Sequence, residues 1–127
     1  MSKNLQIARP SSPRPAVSLA DTNPLDGPTD EPWKSTELLE VNGNKVRFRV
    51  MRDAEARWHT HKGSDEFFLI LSGTVTIDTR EGGEDGTVTS HTLQPGQMLA
   101  VHPGNEHRAR CQGRATLVVI DAIDRLG

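Results

Sequence analysis

The chain has 127 residues, a net charge of −2 and 34% hydrophobic residues, which suits one packed domain with an appendage and is too short for two full domains. The balanced charge, a pI of about 6.2 and five aromatic residues without a Tyr exclude a basic nucleic-acid or anionic-membrane surface and a stacking platform for single strands. A single cysteine, Cys111, excludes an intrachain disulfide, and with no apolar leader or membrane-length apolar run the expected setting is the cytoplasm.

Residues 1–32 form the first unit. Six of the eight prolines lie there: Pro10, Pro13, Pro15, Pro24, Pro28 and Pro32. Proline lacks a backbone donor, so helix is excluded and an extended or flexible arm is expected. Such an arm either moves freely or lies along a neighbouring subunit, with Val17 and Leu19 as anchors. Residues 33–127 form the second unit and read as strands. Glu37–Val41 is a short strand, and Asn42-Gly43-Asn44 is a turn signal. Over residues 45–51 the pattern alternates, with Val46, Phe48 and Val50 on one face and Arg47 and Arg49 on the other. The apolar face is the better core candidate. Residues 53–56 read as a loop, Arg57–His61 as a strand and Glu66–Leu71 as a buried strand after the turn at residues 62–65. Further strands are expected over 74–78, 88–93, 97–101, 106–111 and 115–122. Glycine or proline turns separate them, and Gly113 parts the last two. Many short strands at regular spacing predict an all-β sandwich or barrel.

The chemistry-bearing residues concentrate in residues 57–73. In an extended strand His59 and His61 project from one face. Glu66 follows at the mouth of the next strand, and His107 follows the turn at Pro103-Gly104-Asn105. If the His107 strand lies across the barrel from the His59 strand, three imidazoles and one carboxylate meet. That donor set suits Fe, Mn, Ni, Zn or Cu, and on a six-coordinate ion it leaves two positions open. A structural zinc site would be closed and richer in cysteine. Arg57 shares parity with the two histidines and is a candidate for a substrate carboxylate or phosphate. Phe68 and Ile70 share parity with Glu66 and are expected to line the pocket. Phe67, Leu69 and Leu71, together with Trp58, then make an outer apolar face that needs a cover. Cys111 shares parity with His107 but stands roughly 13 Å further along the strand, too far to be a ligand. It could point into the barrel beyond the metal, either as a small buried hydrophobe or as a thiol of the pocket. His91 and His102 are expected to be exposed.

His59-x-His61-x4-Glu66-x6-Gly73 resembles the first motif of the cupin superfamily. Pro95-Gly96, followed by Gly104-x2-His107, resembles its second motif. The resemblance covers residues 57–111 and implies a cupin jelly-roll barrel carrying the extended proline-rich arm. It implies His59, His61, Glu66 and His107 as metal ligands, and a homodimer. Three positions depart from the pattern: Asp53 and Cys111 stand where glycine and asparagine are expected, and His102 where proline is.

The implied function is a metal-binding cupin, first of all a metal-dependent oxidoreductase of dioxygenase type acting on a small molecule. One divalent transition metal would bind per barrel, and Glu66 could act as a catalytic base if it leaves the ion. Two alternatives remain open. One is a redox-neutral isomerase, lyase or sugar-modifying enzyme, as in the mannose-6-phosphate-isomerase-like small cupins. The other is a non-catalytic small-ligand-binding module. Neither nucleic acid nor membrane is an expected partner.

Overall fold

Strands account for nearly all the regular structure in a computed structural model of the chain, which describes residues 15–122. The expectations for Pro10 and Pro13 and for residues 123–127 fall outside that range. The strands are β1 (Trp33–Val41), β2 (Asn44–Glu55), β3 (Glu66–Ser72), β4 (Val75–Arg80), β5 (Val88–Leu93), β6 (Met98–Val101) and β7 (Glu106–Ala122). All pairings are antiparallel. No helix among the described residues is long and apolar enough to cross a membrane.

Strand β7 organises the barrel. Sequence reasoning divides it into 106–111 and 115–122, but it is one 17-residue strand. Gly113 lies within it at φ +72 and supplies a backbone conformation that side chains disfavour. Beyond Gly113, β7 joins a large sheet in the order β1-β2-β7-β3-β6. Before Gly113, it pairs with β4, which pairs in turn with β5. One strand therefore serves both layers of a jelly roll. The core between them takes Met51, Phe68, Ile70, Leu117, Val119 and Val101 from the large sheet, and Val75, Ile77, Leu93 and Ala109 from the small one.

Residues 53–56, expected as a loop, mostly extend β2 as far as Glu55. A bulge falls between Arg52 and Ala54. Asp53 occupies it at φ +46, the left-handed region that glycine enters most easily. Its Oδ1 accepts the Gly113 N–H at 2.7 Å, so one side chain closes the bulge against the bend of β7. In the opposite sense, residues 57–61 are not a strand. They run extended with one bridge, between His59 and His107.

Register corrects the choice of core face on β2. Directly opposed residues share a face. Met51 pairs with Ala115, Arg49 with Leu117 and Arg47 with Val119, and Met51, Ala115, Leu117 and Val119 all belong to the inner core. Arg47 and Arg49 therefore point inward, and Val46, Phe48 and Val50 point outward. Phe48 and Val50 are still only 2% exposed, because the arm packs over them. Pro24, Leu25 and Pro28 line a cleft with both residues. Arg114 Nη2 ties the arm down through Asp26 Oδ1 at 3.0 Å and the Gly27 carbonyl at 2.9 Å, and the Arg52 N–H donates to the Pro32 carbonyl at 2.9 Å. The arm thus covers its own barrel from residue 24 onward. Val17 and Leu19 are 80% and 90% exposed among the described residues.

Candidate metal centre

Three segments bring the ligand atoms together. His59 and His107 form the bridge, each donating its N–H to the other's carbonyl at 3.0 and 2.9 Å. They are immediate neighbours, not residues facing each other across the barrel, and their ring centroids lie 4.2 Å apart. Two residues on, the His61 carbonyl accepts the Gly104 N–H at 2.9 Å, which fastens this segment to the turn before His107. Glu66 opens β3 on its inner face, opposite Val101. One ligand atom from each of His59, His61, Glu66 and His107 lies within 4.8 Å of all the others, and all but His59 are buried. His59 keeps a side chain 37% exposed and forms the open edge of the centre.

The proton bookkeeping of the four groups fits a cation. Nδ1 of His59 and of His107 lie 3.0 and 3.2 Å from the carbonyls of Arg57 and Asn105. A carbonyl only accepts, so both Nδ1 atoms carry the hydrogen and a neutral ring presents its Nε2 lone pair to the centre. There the Nε2 atoms of His61, His107 and His59 stand 2.6, 2.7 and 3.4 Å from Glu66 Oε1. A carboxylate oxygen is also an acceptor. Facing lone pairs at that distance demand positive charge between them, as extra protons or as a metal ion. Burial raises the proton affinity of Glu66; where those Nε2 atoms carry protons, hydrogen bonds from His107, His59 and His61 outweigh it and hold the carboxyl well below the usual carboxylate range. Three imidazoles and a carboxylate in this arrangement could bind a metal ion.

A family model for the cupin domain matches residues 46–123, well over half of the chain. The chain belongs to the cupin family. It is 30% identical over 84 residues to protein YdbB of Bacillus subtilis (strain 168), covering 66% of this chain and 68% of the relative. Among solved structures it is similar to protein NMB1881 of Neisseria meningitidis, at 26% identity and a TM-score of 0.58, covering 74% of this chain and 88% of the other. It is also similar to a cupin superfamily protein of Desulfitobacterium hafniense DCB-2, at 20% identity and a TM-score of 0.64, covering 92% and 100%.

Other sequence-predicted positions of this cupin fall as follows. Phe68 and Ile70 are buried in the inner core, and the Phe68 ring lies 6.1 Å from that of His107, edge to face. Phe68 thus forms the floor of the centre, and Ile70 lies one inner position deeper. The Arg57 side chain is exposed, and the residue meets the centre through its carbonyl. Cys111 packs against the core from the far end of its strand segment, with Sγ 3.6 Å from the Gly113 carbonyl. Trp58 lies on the outer face of the small sheet, away from Phe67 and Leu69. The Arg80 and Arg108 guanidinium groups stack on it at 4.1 and 4.7 Å. His91 is not exposed as expected. It pairs with Ile77, a core residue, and its Nε2 lies 3.1 Å from Thr79 Oγ1. His102 is exposed and contacts Asp65 at 3.0 Å.

Sequence reasoning left Arg47 and Arg49 unassigned. Arg47 Nη1 donates to Asp121 Oδ1 at 2.5 Å, and Asp121 is 1% exposed. Arg49 donates to Ser35 Oγ at 3.0 Å and lies 4.2 Å above the Trp33 ring. The available signal was a strict alternation carrying charge on one side. It shows that the two faces of β2 differ, and only pairing with β7 says which one is inside.

Proposed function

We propose that this cupin is a mononuclear metal-dependent oxidoreductase of dioxygenase type acting on a small molecule, with His59, His61, Glu66 and His107 as its ligands. One observation carries the reading: four ligand atoms of the right chemistry converge at the inner end of the barrel, three of them on buried residues. A bound metal supplies Lewis-acid or redox chemistry at the positions that four protein ligands leave to substrate. The chain's own residues do the rest. The Arg57 and Asn105 carbonyls hold the tautomers of His59 and His107, so that both Nε2 atoms face the centre. Phe68, with Val119 and Leu117 behind it, closes an apolar floor that excludes water from below. The half-open His59 edge admits substrate.

The test begins with elemental analysis of protein purified without added metal. About one iron or manganese per chain is expected, together with O₂ uptake on a panel of small-molecule substrates. Full metal retention in His61→Ala would sink the ligand assignment. Turnover that proceeds without O₂ would replace the dioxygenase reading with a redox-neutral isomerase or lyase.

We also infer that the protein is a homodimer. On the outer face of the large sheet, Phe67, Leu69, Val118 and Ile120 are half-buried, and Met98 and Leu71 are 62% and 40% exposed. A second copy of this face would bury them. Sedimentation equilibrium is expected to give twice the 14.0 kDa chain mass, and a monomer at micromolar concentration would refute the inference.

A further inference from the structure

The geometry points to a second recognition pole in the same barrel: the Arg47 guanidinium, steered by Asp121, binds an anionic group of the substrate. The substrate class is then a small molecule with an oxygen donor for the metal at one end and a carboxylate or phosphate at the other. This inference rests on the proposed metal reading of the site.

The large sheet places the two poles on one surface. Phe67 pairs with Ile120, so Glu66 stands level with Asp121 on the inner face. On the other side of β7, Asp121 pairs with Lys45, and Arg47 pairs with Val119. Glu66 and Arg47 thus belong to strands with β7 alone between them. Two strand spacings of 4.7–4.9 Å and a two-residue offset at ~3.3 Å per residue put their backbones roughly 12 Å apart, and both side chains project into the barrel. That separation suits a ligand of a few carbon atoms.

The bonding of Arg47 marks it as more than half of a structural ion pair. A guanidinium has five N–H donors in a planar fork. Among the described residues Arg47 gives one hydrogen bond, to Asp121, and its side chain is only 18% exposed. A mostly buried cation with unused donors is costly unless something accepts from it. Asp121, 1% exposed, fixes the group from one side, Glu37 stands opposite on β1 and adds negative charge beside it, and the N–H groups without a hydrogen bond among the described residues are left for an acceptor such as a carboxylate or phosphate. Arg49 stands two residues further along the same inner face. Trp33 and Ser35 clamp it, and it adds positive potential beneath Arg47. Phe68 and Val119, both buried, form the apolar floor beneath the two poles.

The full-length protein is loaded with Co(II) and titrated by calorimetry with acetate, succinate, glutarate and 3-phosphonopropionate. Acetate reaches the metal alone, and the others span both poles. At least one of the three is expected to bind tenfold or more tightly than acetate, and the preferred terminus tells carboxylate from phosphate. Arg47→Gln is expected to erase that margin while cobalt content and acetate affinity stay at wild-type levels. Because this variant removes a cation from beside buried Asp121, Arg47→Gln/Asp121→Asn is measured alongside it, with circular dichroism to show that it folds. The same loss is expected. No margin over acetate in the wild type, or a margin that survives in both variants, would overturn the inference. If the wild type takes up no cobalt, the metal reading falls by itself. The same anions are then titrated into metal-free protein: Arg47-dependent binding supports the anion pole, and its absence overturns it.

Discussion

Asp78 is the residue that holds the outer face of the small sheet. It is 1% exposed, yet it accepts from Ser90 Oγ at 2.7 Å, from Arg108 Nε at 2.9 Å and from Arg110 Nε at 2.8 Å. The Arg110 hydrogen bond lowers its carboxyl most. Burial opposes this, and Ser90 and Arg108 add to it, so the group stays well below the usual carboxylate range. The unfolded carboxyl titrates near 3.9. The stabilisation is therefore complete above that pH and is lost as the pH falls toward the folded value. Asp78→Asn is expected to cost about 2 kcal/mol at pH 7, since it removes a buried partner from two half-exposed arginines. It should also flatten the loss of stability below pH 4. Urea midpoints at pH 7 and pH 3 check both, and equal losses at the two pH values would refute the assignment. At the metal centre the dependence is on occupancy. Three of the four candidate ligands bind as neutral imidazoles, so metal content after dialysis is expected to fall below about pH 6.5, where free imidazole protonates. Retention at strongly acidic pH would contradict a histidine-rich site.

At the scale of the element, close approaches between strands decide what the chain tolerates. Gly73 turns β3 into β4 at φ +76, and a Cβ there would lie 2.3 Å from the Arg114 carbonyl. Both the conformation and the contact are backbone features, so nothing flexible can yield. Gly73→Ala is expected to cost about 3 kcal/mol or to prevent folding. Asp53 poses the opposite case. Its φ of +46 favours glycine, but its side chain accepts the Gly113 N–H. Asp53→Gly exchanges one advantage for the other and should be nearly neutral. Asp53→Ala keeps neither and should lose about 1–2 kcal/mol. Denaturation curves for the pair check this, and equal stability would show that the hydrogen bond counts for nothing. These two glycine-like positions were unequally legible. Gly73 closes a recognisable motif and Asp53 stands where that motif resemblance expects glycine, but the hydrogen bond that compensates for the missing glycine is seen only with the bulge against β7.

At the scale of the whole molecule, the arm from residue 24 onward packs on the barrel. Phe48 is, with Phe68, one of the two largest fully buried side chains among the described residues, and it lies on the outer face under Pro24, Leu25 and Pro28. Deleting residues 1–32 is expected to expose Phe48 and Val50, lower the melting temperature by several degrees and promote aggregation. Phe48→Ala in the full chain should cost about 3–4 kcal/mol. Scanning calorimetry of both proteins checks the point. A truncated barrel as stable as the full chain would mean that the arm merely rests on it.

The residue order by itself determined the all-β class, most of the strands and the four ligand candidates. Alternation, glycine and proline punctuation and the spacing of His59, His61 and Glu66 are local properties, written within a few residues of one another. It did not determine that His59 and His107 are adjacent, that β7 is continuous through Gly113, or that Arg47 and Arg49 face inward. Those depend on pairing between segments far apart in the chain. Alternation on β2 separates an apolar face from a basic one, and the usual inference sends the apolar face inside. Here both faces are covered, the outer by the arm and the inner by the barrel, so hydrophobicity alone had no power to choose. The register of β2 on β7 made the choice, because it places Arg47 beside Val119 and within reach of Asp121.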